Sequence, residues 1–385
     1  MKHVQVIWKG PVLDATGYGL ASREYVLALD RHGFDMKIEG YSWGFPSIDI
    51  HRRKKEKLQY LIQKPYAQHK QKILIYHTPA GNINIVDEIK RFDHCILNTV
   101  WETTKIPSYW LPIIEGFHAV TVPCIQNITA MLNSGVNGPL FLVPHGIDTM
   151  EFHPRNPKLE ISGARGRFTF VSVFDFQHRK NPEALLKAYW EEFSAKDRVF
   201  MVIKTYGASR HAILNRIQAY KSRLGYGKDT APLLVLTGVL NDRDLKGLYT
   251  LGNAFVLPTR GEGVGLPFME ALASGIPVIA TGWGGHLDFL TERNSFLVKY
   301  NLSKPGLSMN SSDAISLVHP ELFGEEGQLW AEVDVQDLRR KMRVAYENPG
   351  LCRTKGIQGR NDMLHYSWDK AGILFRKIIE KVIHT

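Results

Sequence analysis

Cysteine is scarce. The three residues present, Cys95, Cys124 and Cys352, are far apart and odd in number. None has metal-ligand spacing, so neither a disulfide framework nor a zinc module organises the chain, and a reducing, cytoplasmic setting is expected. Long apolar runs are missing too: none approaches the ~18 residues that a membrane-spanning helix requires. The opening MKHVQVIWKG passes straight into a strand pattern, without the apolar segment and cleavage site of a secretory signal. The sequons at Asn127, Asn301 and Asn310 are accordingly read as chance. No solenoid repeat occurs, and no RRM, OB, helix-turn-helix or zinc string, so nucleic acid is not an expected partner.

What the chain does have is a globular composition, 44% hydrophobic and 22% charged over 385 residues. That length favours two domains of similar size. The stretch that organises the rest is AFVLPTRGEGVGLPFMEALASGIPVIATGWGGHLDFL, residues 254–290. A short apolar run, 254–257, stops at Pro258, as a buried strand does on entering a loop. The loop holds Gly261, Gly263 and Gly265 around one carboxylate, Glu262. Pro267 then sits where a helix starts, Gly275 where it ends, and residues 277–280 read as a second buried strand. Strand, glycine loop, helix and strand make a βαβ unit, whose loop lies at the carboxyl end of a parallel sheet, where open α/β sheets bind ligands. Glycines let backbone N–H groups approach an anion at the helix N-terminus. Glu262 and Glu270 are placed to hold sugar or ribose hydroxyls by charge-assisted hydrogen bonds; the plain alternative is a pair of solvated charges.

The string GEGVGLPFMEALASGIPVIAT, with Glu262, seven residues and then Glu270, strongly resembles the donor-binding signature of the retaining glycosyltransferases of family 4. The resemblance covers most of the chain, most strongly 168–290. It implies the GT-B fold, an α/β architecture of two Rossmann-like domains facing a central cleft. The expected division is an acceptor domain over 1–154, a linker over 155–167, a donor domain over 168–366 and a helix over 367–385 that crosses back to the first domain. The activity it implies is transfer of a sugar from a nucleotide-sugar donor, a UDP- or GDP-sugar, to a saccharide or lipid-linked acceptor. Retention at the anomeric carbon and independence of any obligatory metal or cofactor come with it.

The remaining candidate residues follow in chain order. A strand over 3–8 leads to the loop GPVLDATGYGLAS, with a helix expected over 20–32. Gly17 and Gly19 resemble the family's glycine loop, whose N–H groups face the donor phosphate; an ordinary loop needing glycine flexibility is the alternative. Residues 50–75 carry eight Lys or Arg against Glu56 alone, within a net charge of +10. A solvated helix face, with Leu58, Leu61 and Ile62 inward, is the default reading. The functional reading is peripheral contact with an anionic membrane or an acidic acceptor. His77 ends a strand over 72–76 and precedes a glycine loop. It is either a packed structural histidine or, by the resemblance, the donor-facing histidine near the transferred sugar.

In the second half, Arg179 and Lys180 come just before a helix begun by Asn181 and Pro182. Two cations and a helix N-terminus then converge on one point, which suits a diphosphate. The family pattern has an Arg five positions before the Lys. Asp175 stands there instead, and Arg179 is expected to substitute. The resemblance assigns the nucleobase to backbone near Gly238 and Val239, and the donor phosphate to backbone at Gly263, Val264, Gly265 and Leu266. Asp242 and Asp244 read as helix-start residues rather than metal ligands. Residues 300–330 read as a long polar surface insertion. The terminal helix is expected to bury Ile373, Phe375, Ile378, Ile379 and Val382. Glu262, Lys180, Arg179 and His77 are thus the catalytic candidates. Two rival readings stand beside this one: a GT-B sugar-nucleotide epimerase sharing the donor site, and a non-catalytic basic protein that binds nucleic acid or membrane.

Overall fold

The structure is a computed structural model that describes residues 3–45 and 50–384. Two compact units make it up: residues 1–146 with 366–385, and residues 147–365. Each is built on a six-stranded parallel sheet.

In the first unit the strands are β1 (Val4–Gly10), β2 (Asp35–Gly40), β3 (Gln71–His77), β4 (His94–Asn98), β5 (Ala119–Val122) and β6 (Leu140–Leu142). Their order is β2-β1-β3-β4-β5-β6. The order reverses between β1 and β3, so the loops after these two strands open a crevice at their carboxyl ends. Helix α1 (Gly17–Arg31) begins three residues before the expected start, because Thr16 caps it, accepting from the Gly19 N–H at 3.0 Å. Gly19 has no room for a side chain: a Cβ would lie 2.2 Å from the Asp14 carbonyl oxygen. The terminal helix Trp368–Ile383 packs on α1, with Gly372 against Ala28 and His32. It buries Trp368, Ala371, Phe375, Ile378, Ile379 and Val382, while Ile373, expected inside, is 42% exposed. Ile373 is a solvent-side position of a stripe that includes Trp368 and Ala371 instead.

In the second unit the strands are β7 (Phe168–Asp175), β8 (Val199–Tyr206), β9 (Leu233–Thr237), β10 (Ala254–Leu257), β11 (Val278–Thr281) and β12 (Ser295–Val298). Their order, β12-β11-β10-β7-β8-β9, is the dinucleotide-fold order with its reversal between β7 and β10. Strands β10 and β11 are buried at every position, as parallel strands covered on both faces must be.

Two stretches differ from the sequence reading. Residues 147–167, expected to end the first domain and then link, group with the second unit. Arg360 donates to the carbonyls of Thr149 and Phe152, and the Leu159 N–H donates to Gly247 O at 2.8 Å. Residues 300–330 are not a loose insertion. They hold strand β13 (Tyr300–Ser303), antiparallel to β14 (Trp330–Val333), and they bury Ile315, Phe323 and Trp330. Those apolar residues follow no regular period, so the segment reads as polar although it is anchored to the core.

Candidate active site

The reversal between β7 and β10 collects the charged residues of the second unit. After β7 the chain makes a tight turn, His178–Lys180, and enters the helix Pro182–Glu192 through Asn181. Asn181 is left-handed, φ 57°, the one non-glycine residue so placed among the described residues. Its side chain caps the helix by accepting from the Ala184 N–H at 3.2 Å. A left-handed non-glycine residue costs roughly 1 kcal/mol or more, tolerated best by asparagine, and here it re-aims the chain directly after the two cations. After β10, residues 259–262 run alongside that turn. Arg260 N–H donates to Arg179 O at 2.7 Å and Thr259 Oγ1 to the same oxygen at 3.1 Å.

Side chains complete the pairing. Lys180 Nζ lies 2.6 Å from Glu262 Oε1; Arg179 Nη1 donates to Gly261 O at 2.6 Å and lies 3.6 Å from Glu262 Oε2. Glu262 is 5% exposed. Burial alone would raise its carboxyl pKa, but the charges of Lys180 and Arg179 outweigh burial and hold it below the usual carboxylate range. Glu262 is thus an ionised group with its two cations already in place.

The loop beyond it reaches the helix Leu266–Ala273 through Gly265, φ 82°, which places no side chain over the helix N-terminus. A Cβ on Gly265 would lie 2.4 Å from the Phe268 ring. Glu270 projects from this helix, is buried, and accepts a hydrogen bond from the Tyr249 hydroxyl. Burial pushes its pKa up to about 7, against the lowering effect of the Tyr249 bond. The two glutamates that the sequence motif joins therefore differ electrostatically: one is ion-paired, the other accepts from a hydroxyl. Gly238, φ 86°, and Val239, 58% exposed, follow β9, two strands from β7. At the start of the helix Asp242–Leu251 the cap is Asn241, with Asp242 and Asp244 in the first turn.

Asp175, where the family pattern has an arginine, ends β7. Its Oδ1 is buried without a hydrogen-bond partner among the described residues, while Oδ2 accepts from Gln177 Nε2 at 2.6 Å. Burial raises its pKa, opposed by Lys180 and Arg179. A side chain at Gly207 would collide with it, at 2.2 Å.

The sequence reading missed an interior cluster behind this turn. Arg260 is 5% exposed, donates through Nη1 to His178 O, and pairs with Glu183 at 3.4 Å and Glu332 at 2.7 Å. Glu183 Oε1 also accepts from Ile315 N–H, Ser316 Oγ and His178. Burial raises the Glu183 pKa; His178, Arg260 and Ser316 more than reverse this, and bring it down to about 2. Nothing in spacing separates an inward loop arginine from a solvated one, and Glu183 reads as an ordinary first-turn acid.

The first unit has its own reversal, between β1 and β3, and His77 stands there. It is 1% exposed, its Nδ1 lies 2.8 Å from Ser22 Oγ, and the rings of Tyr18 and Trp8 pack on it at 4.8 and 5.3 Å. Burial, with His145 nearby, lowers its pKa well below the ordinary value, so the imidazole is neutral. Gly17 is exposed at the first position of α1. The Gly19 N–H does not face outward as expected; the Thr16 cap occupies it. Among the described residues no group of three or more His, Cys, Asp or Glu side chains is placed to hold a metal ion.

Fold and site together define a two-unit α/β protein whose second unit gathers two cations and two carboxylates at a nucleotide-type switch point. Residues 165–305 match the family described as glycosyl transferases group 1. The serotype-specific mannosyltransferase WbdA of Escherichia coli is 27% identical over 201 residues, 51% of this chain and 20% of that protein. A UDP-Gal:α-D-GlcNAc-diphosphoundecaprenol α-1,3-galactosyltransferase of Escherichia coli is 25% identical over 260 residues, 60% of this chain and 64% of that protein. The chain thus spans about a fifth of the first of these relatives. HepE of Anabaena, whose crystal structure holds UDP and glucose, superposes with a TM-score of 0.65 over 98% of this chain and 100% of its own, at 12% identity. Residues 165–305 are thus similar to the group 1 glycosyltransferases, and the fold is the GT-B fold.

Proposed function

We propose that the protein is a retaining glycosyltransferase of family 4, moving a sugar from a nucleotide-sugar donor to a saccharide or lipid-linked acceptor without an obligatory metal. The observation that carries this reading is the convergence of Lys180 and Arg179 on Glu262 at the β7/β10 reversal, inside the segment that matches the family. UDP and glucose in HepE, and the mannosyl- and galactosyltransferase relatives, support a UDP- or GDP-sugar donor.

In this reading the anomeric C–O bond to the nucleoside diphosphate breaks as a bond to the acceptor oxygen forms on the same face. The acceptor proton passes to the departing phosphate oxygen. The leaving diphosphate gains negative charge, and Lys180 and Arg179, with the N–H groups of Gly263 to Leu266 at a helix N-terminus, stabilise it. Lys180 exchanges Glu262 for phosphate when donor arrives, which frees Glu262 for sugar hydroxyls. Glu270 accepts from the ribose, and Gly238 and Val239 border the nucleobase. Neutral His77 and the exposed Gly17 at the start of α1 are the first unit's own candidates for a sugar contact, at the β1/β3 reversal. Peripheral contact with an anionic membrane rests on Arg53, Lys55 and Lys72, the cations of 50–75 without an ion pair among the described residues.

The test is a panel of UDP-, GDP-, ADP- and dTDP-sugars, scored by thermal shift and by donor hydrolysis without acceptor. One nucleotide is expected to raise the melting temperature, with slow hydrolysis of one sugar, unchanged by EDTA. NMR of the first-formed product should show the donor's own anomeric configuration. No shift with any nucleotide overturns the reading, and an inverted product overturns the retaining mechanism.

A further inference from the structure

We infer that Arg260 and Glu183 are positioning residues for the donor diphosphate, an inference that rests on the proposed transferase reading. Arg260 is buried in the loop that carries Glu262, yet its side chain turns away from that glutamate into the unit's interior. There its guanidinium engages three groups: His178 O through Nη1, Glu183 at 3.4 Å, and Glu332 through Nε at 2.7 Å, with the Trp330 ring 5.7 Å away. Its backbone N–H takes Arg179 O at 2.7 Å.

One residue thus holds the carbonyls of both His178 and Arg179, the residues immediately before Lys180. The turn has no side-chain cap of its own and spans three residues. Its second hold is Glu183, which accepts from His178 Nδ1 at 3.2 Å and ties the turn to Ile315 and Ser316. The His178 N–H in turn donates to Leu317 O at 2.7 Å. Residues 315–317 are therefore a back wall for the turn.

A guanidinium can serve three acceptors in one plane; an ammonium cannot. Replacing Arg260 by Lys keeps the buried charge near Glu183 and the backbone bond to Arg179 O, but releases His178 O or Glu332. The Lys180 and Arg179 side chains would then point correctly for only part of the time. Phosphate affinity depends on that aim, and a displacement of about 1 Å can cost on the order of 100-fold. Neither Arg260 nor Glu183 touches the donor in this arrangement; both act through Arg179 and Lys180.

The experiment compares wild type, Arg260→Lys and Glu332→Ala, the last removing one anchor at a half-buried site. Binding of the donor's free nucleoside diphosphate is followed by calorimetry, and the KM for donor and for acceptor by steady-state kinetics. Expected is a donor KM raised about tenfold in Arg260→Lys, and less in Glu332→Ala, with a parallel loss of diphosphate affinity and an unchanged acceptor KM. A merely structural role would lower the active fraction, and so kcat, while leaving both KM values and diphosphate affinity alone; that result overturns the inference. If Arg260→Lys does not fold, Glu332→Ala decides by the same criterion. Wild type failing to bind any nucleoside diphosphate overturns the transferase reading and this inference together; intact wild-type binding with unaltered variants overturns the inference alone.

Discussion

Lys180 Nζ lies 2.6 Å from Glu262 Oε1, although the two residues are 82 positions apart and stand at the ends of neighbouring strands. Their side chains are 13% and 6% exposed, so this pair is largely removed from water. Breaking such a pair by removing one partner leaves the other charge stranded and costs about 3 kcal/mol. Lys180→Ala should therefore lose about that much stability at neutral pH, measured by urea unfolding, and about 100-fold or more in turnover. Adding Glu262→Gln should restore much of the stability and none of the activity. Recovery of both would place Lys180 in the scaffold and not in the chemistry.

Glu270 gives a pH prediction of definite sign. Its folded pKa is raised to about 7 from the ordinary 4.5. Between those values the folded state holds a proton that the unfolded chain has released, so this group's contribution makes stability fall as pH rises from about 4.5 to 7. Donor binding should run the other way, because only the ionised carboxylate accepts strongly from a ribose hydroxyl. The donor KM should decrease as pH rises through about 7. Glu270→Gln should flatten both profiles while the fold persists. A donor KM independent of pH in wild type would remove Glu270 from the site.

Gly19 supports the crevice by sterics and not by offering its N–H. A Cβ there meets the Asp14 and Pro11 carbonyl oxygens at 2.2 and 2.9 Å, both backbone atoms that cannot swing aside. Gly19→Ala should cost about 2–3 kcal/mol of stability. Gly17, exposed at the helix start, should accept Ala with a change of less than about 1 kcal/mol. A comparison of the two melting temperatures separates the roles; equal, small losses would show that the loop relaxes.

These cases show which features the sequence carried in legible form. The strands expected over 3–8, 72–76, 254–257 and 277–280 fall on β1, β3, β10 and β11, because parallel strands buried on two faces are short apolar runs; β2 and β12 were not foreseen. The meeting of Arg179 and Lys180 with Glu262 was legible for a related reason: these residues follow the ends of β7 and β10. Arg260 was not, since inward and outward loop arginines look alike until β7 and β10 are paired. Nor was the burial of 300–330, where Ile315, Phe323 and Trp330 are spaced without period. The start of α1 was missed because a threonine cap, Thr16, was read as loop. Long-range pairing decides each of these, and local pattern does not contain it.

The basic stretch is the sharpest instance of that difference. By sequence it is a block of eight cations, but most of it is spoken for in the fold. Lys54 pairs with Glu24, Lys57 with Asp30, Arg52 with Glu56, and Lys64 and Lys70 share Asp35. Helix α2 (Arg52–Gln63) thus spends much of its charge on α1 and β2, with Leu58 and Leu61 buried beneath. Arg53, Lys55 and Lys72 remain, and each cation near an anionic surface contributes about 1 kcal/mol. Replacing Arg53 and Lys55 by Ser should therefore weaken sedimentation with phosphatidylserine vesicles about thirtyfold at low salt, with donor KM unchanged. Replacing Lys54 and Lys57 should instead lower stability, by unpairing Glu24 and Asp30, and should change vesicle binding less. If all four substitutions leave vesicle binding unaltered, α2 is a solvated face whose lysines serve the first unit alone.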